Sequence, residues 1–285
     1  MKKNVKRHKL RYACLPQAWL NLRQLGNLYH RCQMRDSLVN SKSYFELFVE
    51  EKLNLISDSN ERINSGILTE DQVPFAKYQI FLFSLEVLIA KYSAGSSPDE
   101  LIEDYNNTIL LISDGWEDSV VKFKSGNKIF DQYMLNQYCY MVWMLSLGIL
   151  LNVANNERII LKSLITKGGI KDELILFLLE ALTKEQLKEK RAKTTYKPFK
   201  NLVKGGERID ISKNDVKKYL SGWYNNTKLL TWHNYSASID HAKYYYGYWS
   251  FESAAVTCIM GLDDSSYRDN EYYPKDLVDY YRSNP

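Results

Sequence analysis

Cysteine, glycine and proline are all scarce in this chain of 285 residues, which has four, thirteen and six of them. Cys14, Cys32, Cys139 and Cys258 show no C-x-x-C spacing. The spacing argues against a disulfide framework and predicts buried free thiols in a reducing compartment. With so little glycine and proline, the chain has few local breaks, which favours long regular elements.

Apolar runs long enough to span a membrane are absent. The longest run, Tyr138–Leu151, has fourteen residues, so as a helix it spans about 21 Å, less than the roughly 30 Å of a bilayer core. We therefore expect a buried core helix and no membrane partner. The basic opening M-K-K-N-V-K-R-H-K-L-R is followed by an apolar stretch that Pro16, Gln17, Asn21 and Arg23 interrupt. This pattern argues against a signal peptide and predicts a cytoplasmic protein.

Cofactor and metal motifs are also absent. Gly168-Gly169 and Gly205-Gly206 lack the spacing of a phosphate-binding loop. Cys14, His30 and Cys32 resemble part of a zinc site, but no fourth ligand follows at a usable distance. We expect no cofactor and no bound metal.

Helix signals dominate, and sustained two-residue alternation is scarce, so the expected fold is all-α. Ser43–Glu46 and Ser97–Glu100 match the capping-box pattern, and Pro74 suits the first turn of a helix. Helices are expected over residues 44–63, from 74 through 89, from 98 to about 116, and near 129–153, 157–166, 171–181, 183–193, 213–225, 241–260 and 274–282.

Two helical blocks follow a basic extension in the predicted domain organisation. The extension is residues 1–33, the acidic N-terminal block is 34–123, and the C-terminal block is 124–285. The boundary is placed at the polar turn Lys122–Asn127.

The modest net charge of +4 conceals strong local charges. Residues 1–42 carry ten basic residues and one acidic residue, whereas residues 43–118 carry four basic and fifteen acidic residues, a net of −11. Residues 119–233 carry a net of +10 and residues 234–285 a net of −4. An acidic block of this kind produces a surface potential that attracts a cationic partner.

The segment Tyr246–Asp264 is the most distinctive part of the chain. It reads Y-G-Y-W-S-F-E-S-A-A-V-T-C-I-M-G-L-D-D, an aromatic cluster that leads into an apolar helix, and Y-Y-P follows at 272–274. The aromatic side chains are expected to be packed, and Gly261 suits the left-handed residue after a helix. Glu252 is expected to be a structural hydrogen-bond anchor for Arg268, His241 or a tyrosine hydroxyl.

This segment resembles the signature of the PoNi-type immunity proteins, which are bacterial antidotes to polymorphic DNase toxins. G-Y-W-S-F-E, G-L-D-D-S-S and Y-Y-P carry the resemblance, and Lys275 stands where another aromatic residue is expected. Two earlier segments extend it to roughly residues 34–280: M-R-D-S-L from Met34 and K-Y-S-A-G from Lys91. The matching motif residues are Tyr246, Gly247, Tyr248, Trp249, Phe251, Glu252, Gly261 and Pro274.

The resemblance implies a protein without catalytic activity that binds a cognate nuclease toxin, in competition between bacteria that use systems such as type VI secretion. A nuclease presents a cationic face to DNA phosphates, so an inhibitor can compete by presenting carboxylates. The first candidates for toxin contact are therefore Asp99, Glu100, Glu103, Asp104, Asp114, Glu117 and Asp118. The second set is Asp263, Asp264, Asp269 and Glu271. Oligomeric state, and whether the toxin's active site or a distant surface is bound, stay open.

Two alternatives from other functional classes remain. A metal-dependent hydrolase would use His233, His241, Asp263 and Asp264, although these residues also fit turn and capping chemistry. A nucleic-acid-binding regulator would use the basic N-terminus and the eight bases of Lys184–Lys204. No recognised nucleic-acid-binding motif accompanies them, and the acidic block would repel phosphates, so direct nucleic-acid binding is not expected.

Overall fold

The computed structural model describes residues 34–39, 41–188, 190–194, 196–200, 202–203, 210–241 and 244–284. The α-helices are α1 (Lys42–Asn64), α2 (Val73–Ala94), α3 (Pro98–Gly115), α4 (Asp118–Val121), α5 (Leu135–Leu150), α6 (Asn155–Lys167), α7 (Glu173–Thr183), α8 (Lys213–Asn226), α9 (Phe251–Ile259) and α10 (Lys275–Ser283). A 3₁₀ segment covers Thr231–His241, and the strands β1 (Lys122–Ser125) and β2 (Lys128–Tyr133) form an antiparallel hairpin. The predicted all-α fold is confirmed, with this one small sheet among the described residues.

The helices pack in two blocks that share one hydrophobic core. In the first block α2 lies between α1 and α3, and in the second α5 contacts α7, α9 and α10. Nearly every side chain of α5 is buried, as the apolar run Tyr138–Leu151 predicts. By length and composition α2 is also apolar enough to cross a membrane, but helices on two sides cover it. The pattern is that of a core helix.

Helix ends follow the sequence signals closely in the first block. Ser97 caps α3 in a capping box with Glu100, and Pro98 occupies the first turn, as predicted. Gly95 ends α2 and Gly66 follows the end of α1, both with positive φ. The predicted capping box at Ser43 is wrong, because Ser41 caps α1 and accepts a hydrogen bond from the Ser43 amide.

Three predicted helices differ from the structure. Residues 128–133 form a strand, so the helix predicted over 129–153 begins only at Leu135. The helix predicted over 183–193 is not formed by the described residues of that range. Lys184 takes a left-handed conformation, and the chain turns back to pair Ala192 with Asp172. In the range 241–260, residues 245–250 are outside any helix, and α9 starts at Phe251.

Of the predicted turn at Lys122–Asn127, residues 122–125 instead form strand β1, and only Gly126 and Asn127 form the tip of the hairpin, where Gly126 has a φ of +56°. The described residues from 34 onward form one compact unit. The division between the acidic and C-terminal blocks at 123/124 stays a prediction. The predicted basic extension, residues 1–33, lies outside the described residues.

Candidate functional site

A row of exposed carboxylates follows the outer face of α3 and the turn after it. We call this row the α3 acidic stripe; its members are Asp99, Glu100, Glu103, Asp114, Glu117 and Asp118. Leu110 lies within the row and is 55% exposed. The helical spacing of three to four residues places the side chains at 99, 103, 110 and 114 on one side of α3. The structure therefore brings six of the seven first-choice candidates to the surface.

Several members of the stripe also bond within the chain. Asp99 accepts a hydrogen bond from the Tyr280 hydroxyl at 2.8 Å, and Glu100 accepts one from the Ser97 amide at 2.7 Å. Asp114 and Asp118 pair with Lys77 and Lys122 at 2.9 and 2.8 Å, yet their side chains remain 61% and 52% exposed. These two carboxylates therefore still present their charge to solvent.

Asp104 belongs to the interior and is an exception among the first-choice candidates. It is buried, and both carboxylate oxygens accept hydrogen bonds from Lys91, at 2.7 and 2.9 Å. Burial raises its pKa, and the nearby Lys91 ammonium opposes that rise. A side chain in this position joins α3 to α2 and is not available to a partner in this fold.

The outer face of α1 adds carboxylates that the site prediction missed. Its exposed acids are Glu46, Glu50, Glu51, Asp58 and Glu61, and Leu47 among them is 59% exposed. The charge of the whole block, −11, was the available signal for them. The helical spacing of Phe45, Phe48 and Ile56 also indicates the covered face of α1, and the structure buries these three side chains.

The four bases of residues 43–118, all of which the structure describes, neutralise little of this surface. Lys52 is buried and pairs with the buried Glu86 at 2.7 Å, while Lys91 pairs with Asp104. Lys77 pairs with Asp114, and Arg62 is the one exposed base of the range without an ion pair to a described residue. The surface of the first block therefore keeps the whole net charge of −11, because each of the two interior bases compensates one interior carboxylate.

The second-choice candidates divide in the same way. Asp263, Asp269 and Glu271 are exposed, whereas Asp264 is only 4% exposed. Arg268 and Arg282 each donate to Asp264, at 3.0 and 2.9 Å. Asp264 therefore joins the turn after α9 to α10 and does not present a free carboxylate. Asp263 binds the amide and hydroxyl of Ser265 as a turn residue, as predicted for this D-D-S-S segment.

The family-like segments meet at one buried junction. Ser93, from K-Y-S-A-G, accepts a hydrogen bond from Trp249 Nε1 and donates to the Tyr246 carbonyl, both at 2.8 Å. Gly247 lies between them with a φ of +108°, and a Cβ there would stand 2.0 Å from Ser93 Oγ. The G-Y-W-S-F-E segment therefore requires glycine for packing as well as for backbone conformation.

The R-D segment completes this junction. The amides of Arg35 and Asp36 both donate to the Ser93 carbonyl, at 3.0 and 3.2 Å. The Arg35 guanidinium stacks over the Tyr92 ring at 4.6 Å, and the Tyr245 hydroxyl donates to Asp36 at 2.6 Å. Three segments far apart in sequence thus form one buried structural unit.

Glu252 is a structural anchor, as predicted. It is fully buried, and its Oε1 accepts hydrogen bonds from Tyr219 Oη at 2.8 Å, Trp223 Nε1 at 2.6 Å and Ser250 Oγ at 2.8 Å. Burial raises its pKa, and these donors oppose the rise. Of the predicted partners the tyrosine hydroxyl is confirmed, while Arg268 instead binds Asp264 and Asp279.

The residues of the hydrolase alternative do not converge where they are described. The buried His233 ring stacks on Tyr224 at 4.0 Å, and its Nδ1 lies 3.2 Å from Thr227 Oγ1. Within the described residues, no group of three or more histidines, cysteines or carboxylates is arranged to hold a metal ion. The side chain of His241, and the whole of Cys14, His30 and Cys32, lie outside the described part of the chain.

Comparison with known proteins gives a family match over most of the chain. The family model described as PoNe immunity protein (PoNi), N-terminal, matches residues 35–165, and the corresponding C-terminal model matches residues 170–277. No curated protein matches the chain. The crystal structure of protein PA2201 from Pseudomonas aeruginosa is similar with a TM-score of 0.63 and 18% identity, over 93% of this chain and 96% of that one. At that identity the similarity supports the fold alone.

Proposed function

The chain belongs to the PoNe immunity protein family, and from this premise we propose that it binds a cognate DNA-cleaving toxin in the cytoplasm and blocks it through its acidic surface. The observation that carries the proposal is the α3 acidic stripe together with the outer face of α1. Both offer exposed carboxylates on rigid helices, with few exposed bases near them in sequence.

Carboxylates at this density act first on the rate of encounter. A nuclease must attract phosphates, so its DNA-binding face is cationic, and an acidic surface is attracted to the same face. Steered association of oppositely charged proteins reaches about 10⁸ to 10⁹ M⁻¹s⁻¹ at low salt. Fast capture protects the chromosome, because each free toxin molecule cleaves DNA until it is bound.

Rigidity of the acidic surface supports the same role. Inside the first block, Lys91 forms an ion pair with Asp104 and Lys52 forms one with Glu86. Each pair joins two neighbouring helices. Ordered helices keep the carboxylates of the α3 acidic stripe in place before the toxin arrives, so less entropy is lost on binding.

Co-expression with the toxin encoded beside this chain's gene tests the proposal. We expect this chain to restore growth of cells that express the toxin and to co-purify with it in a stoichiometric complex. A catalytically inactivated toxin serves as the control, because it should co-purify equally well without affecting growth. Loss of viability despite expression of this chain, together with no co-purification, would refute the proposed function.

A further inference from the structure

The outer face of α1 carries carboxylates that take no part in holding the fold together. Within the described part of the chain, no group forms a hydrogen bond or an ion pair with the carboxylates of Glu46, Glu50, Glu51, Asp58 and Glu61. By contrast, four of the six members of the α3 acidic stripe bond to another residue of the chain. The fold therefore leaves the carboxylates of α1 free for a partner.

Exposed bases are missing from α1 between its first residue and Arg62. The one base in this stretch is Lys52, which is buried and pairs with Glu86 of α2. The two lysines of α2 pair with carboxylates of α3. The outer face of α1 therefore keeps its negative charge over most of its length.

This arrangement of charges costs α1 stability. Glu46 and Glu50 are four residues apart, and Asp58 and Glu61 are three apart, so each pair places like charges side by side on the helix and destabilises it. The first turn of α1, where the helix dipole favours acids, has none, whereas Glu61 lies in the last turn, where the dipole disfavours them. Because the fold gains nothing from these carboxylates, contact with a partner accounts for them.

Leu47 lies at the centre of the outer face of α1. It is 59% exposed, and Glu50 and Glu51 follow it three and four residues later, on the same side of the helix. The row continues four residues after Glu51 with Leu55, which is 36% exposed. Single exposed leucines are common on protein surfaces, but a face that served solubility alone would carry a polar residue at its centre. Leu47 therefore gives the acidic face an apolar point of contact.

We propose that the outer face of α1 is the contact surface for the toxin and that Leu47 is its apolar anchor; this inference rests on the proposed function. The occupant is a cationic surface of the nuclease toxin, whose lysine and arginine side chains pair with the free carboxylates. Leu47 is covered in the complex, and its burial slows dissociation. The α3 acidic stripe, whose carboxylates are partly engaged within the fold, contributes mainly to attraction before contact.

Charge favours this occupant over two others. The unpaired carboxylates of α1 repel nucleic-acid phosphates. A second copy of this chain, docked in a symmetric contact through the same face, would bring like charges together. Its basic segment, residues 119–233 with a net charge of +10, is attracted to the face, but such a head-to-tail contact leaves the outer face of the next copy open. A toxin molecule covers the face in a closed one-to-one complex.

The anchor is tested by Leu47→Ala, which removes the apolar side chain and keeps a good helix former at this position. Binding to the purified, catalytically inactivated toxin encoded beside this chain's gene is measured. We expect Kd to rise about tenfold, mainly through faster dissociation. Ile159→Ala is the matched control, because Ile159 is 54% exposed on α6 in the second block; its Kd should stay that of the wild type. Urea unfolding should give the same midpoint for the wild type and both variants.

The charges are tested by combining Glu46→Gln, Glu50→Gln and Glu51→Gln. We expect Kd for the same toxin to rise about tenfold or more, because three ionic contacts are lost. The midpoint of urea unfolding should stay at or above that of the wild type, because repulsion between like charges along α1 is relieved. A lower midpoint would show that these carboxylates stabilise the fold and would overturn the inference.

The outcomes separate this inference from the proposed function. A Kd within about threefold of wild type, for Leu47→Ala or for the glutamine variant, would place the contact surface elsewhere, while toxin binding by the wild type would leave the proposed function intact. Loss of self-association in sedimentation by Leu47→Ala, with its toxin affinity unchanged, would make a second copy the occupant. If the wild type binds no toxin, the proposed function fails, and this inference fails with it.

Discussion

Asp264 is a candidate for toxin contact by sequence, but in the structure it stabilises the fold. It is the second acid of the D-D-S-S turn, and its carboxylate accepts from Arg268, Arg282 and Tyr273 Oη. Burial alone would raise its pKa, but the two arginines lower it below its usual value of 3.8. Removing the charge therefore leaves two guanidinium groups without their shared partner.

We predict that Asp264→Asn lowers the free energy of unfolding by about 1–3 kcal/mol at pH 7. Because the folded-state pKa is depressed, the stabilisation is present above about pH 3.8 and is lost as pH falls through the folded-state pKa. Urea unfolding of both proteins at pH 7 and near pH 3 measures the difference.

Asp269→Asn is the control for this prediction. Asp269 pairs with Lys275 at 3.1 Å, but its side chain is 90% exposed, so its loss should cost less than about 1 kcal/mol. The structural role of Asp264 would be contradicted if the two substitutions lowered the free energy of unfolding equally. It would also be contradicted if the difference in this free energy between wild type and Asp264→Asn did not decrease in acid.

At the scale of elements, the junction of α2 with residues 245–249 depends on Gly247. We predict that Gly247→Ala costs about 3 kcal/mol or more in the free energy of unfolding, because the new Cβ collides with Ser93 and Trp249 in a backbone conformation that alanine disfavours. Thermal and urea unfolding measure the loss.

Gly261→Ala separates the collision from the backbone strain. Gly261 has a φ of +61°, but nothing lies within 4 Å of the position a Cβ would occupy. Its substitution should cost only about 1 kcal/mol. If both variants lose the same free energy of unfolding, then the requirement for glycine at position 247 does not come from packing at the junction.

The sequence predicts elements well where a local signal sets them. Ser97–Glu100 and Gly261 mark helix ends because capping and left-handed conformations depend on neighbours in the chain. The helix predicted over 183–193 does not form because residues of this range bond to residues that precede it in the chain. Arg191 donates a side-chain hydrogen bond to Glu180, and Ala192 pairs with Asp172 in a β-bridge. The β2 strand is missed since six residues give too short an alternation to compete with the helix signal that follows.

The sequence predicts the negative charge of the candidate site, but it does not predict which of the carboxylates are buried. The carboxylates of α3 follow from sequence, but the burial of Asp104 depends on Lys91 from α2, a tertiary contact. The acidic face of α1, by contrast, follows from the helical spacing of Phe45, Phe48 and Ile56 on the opposite side, which the structure buries. Motif residues such as Trp249 identify the family, and their buried contacts give them a structural role.

At the scale of the whole molecule, the residues that could contact a partner and the residues that stabilise the fold lie in different places. Nine exposed carboxylates lie on α1 and α3, whereas the segments K-Y-S-A-G and G-Y-W-S-F-E lie inside, where they join the first block to the second. An immunity protein built in this way can change its surface charges without loss of the fold.

Steering of the toxin by the acidic surface is tested by measuring the association rate constant as a function of salt. Glu103→Lys combined with Glu117→Lys changes two exposed stripe residues, and Asp210→Lys makes the same kind of change at an exposed acid just before α8 in the second block. With the inactivated toxin in stopped-flow mixing at low salt, we predict that the double variant associates about tenfold more slowly than wild type and depends less on salt. Asp210→Lys should change the rate much less. A double variant with the rate and salt dependence of the wild type would show that the acidic surface does not steer capture.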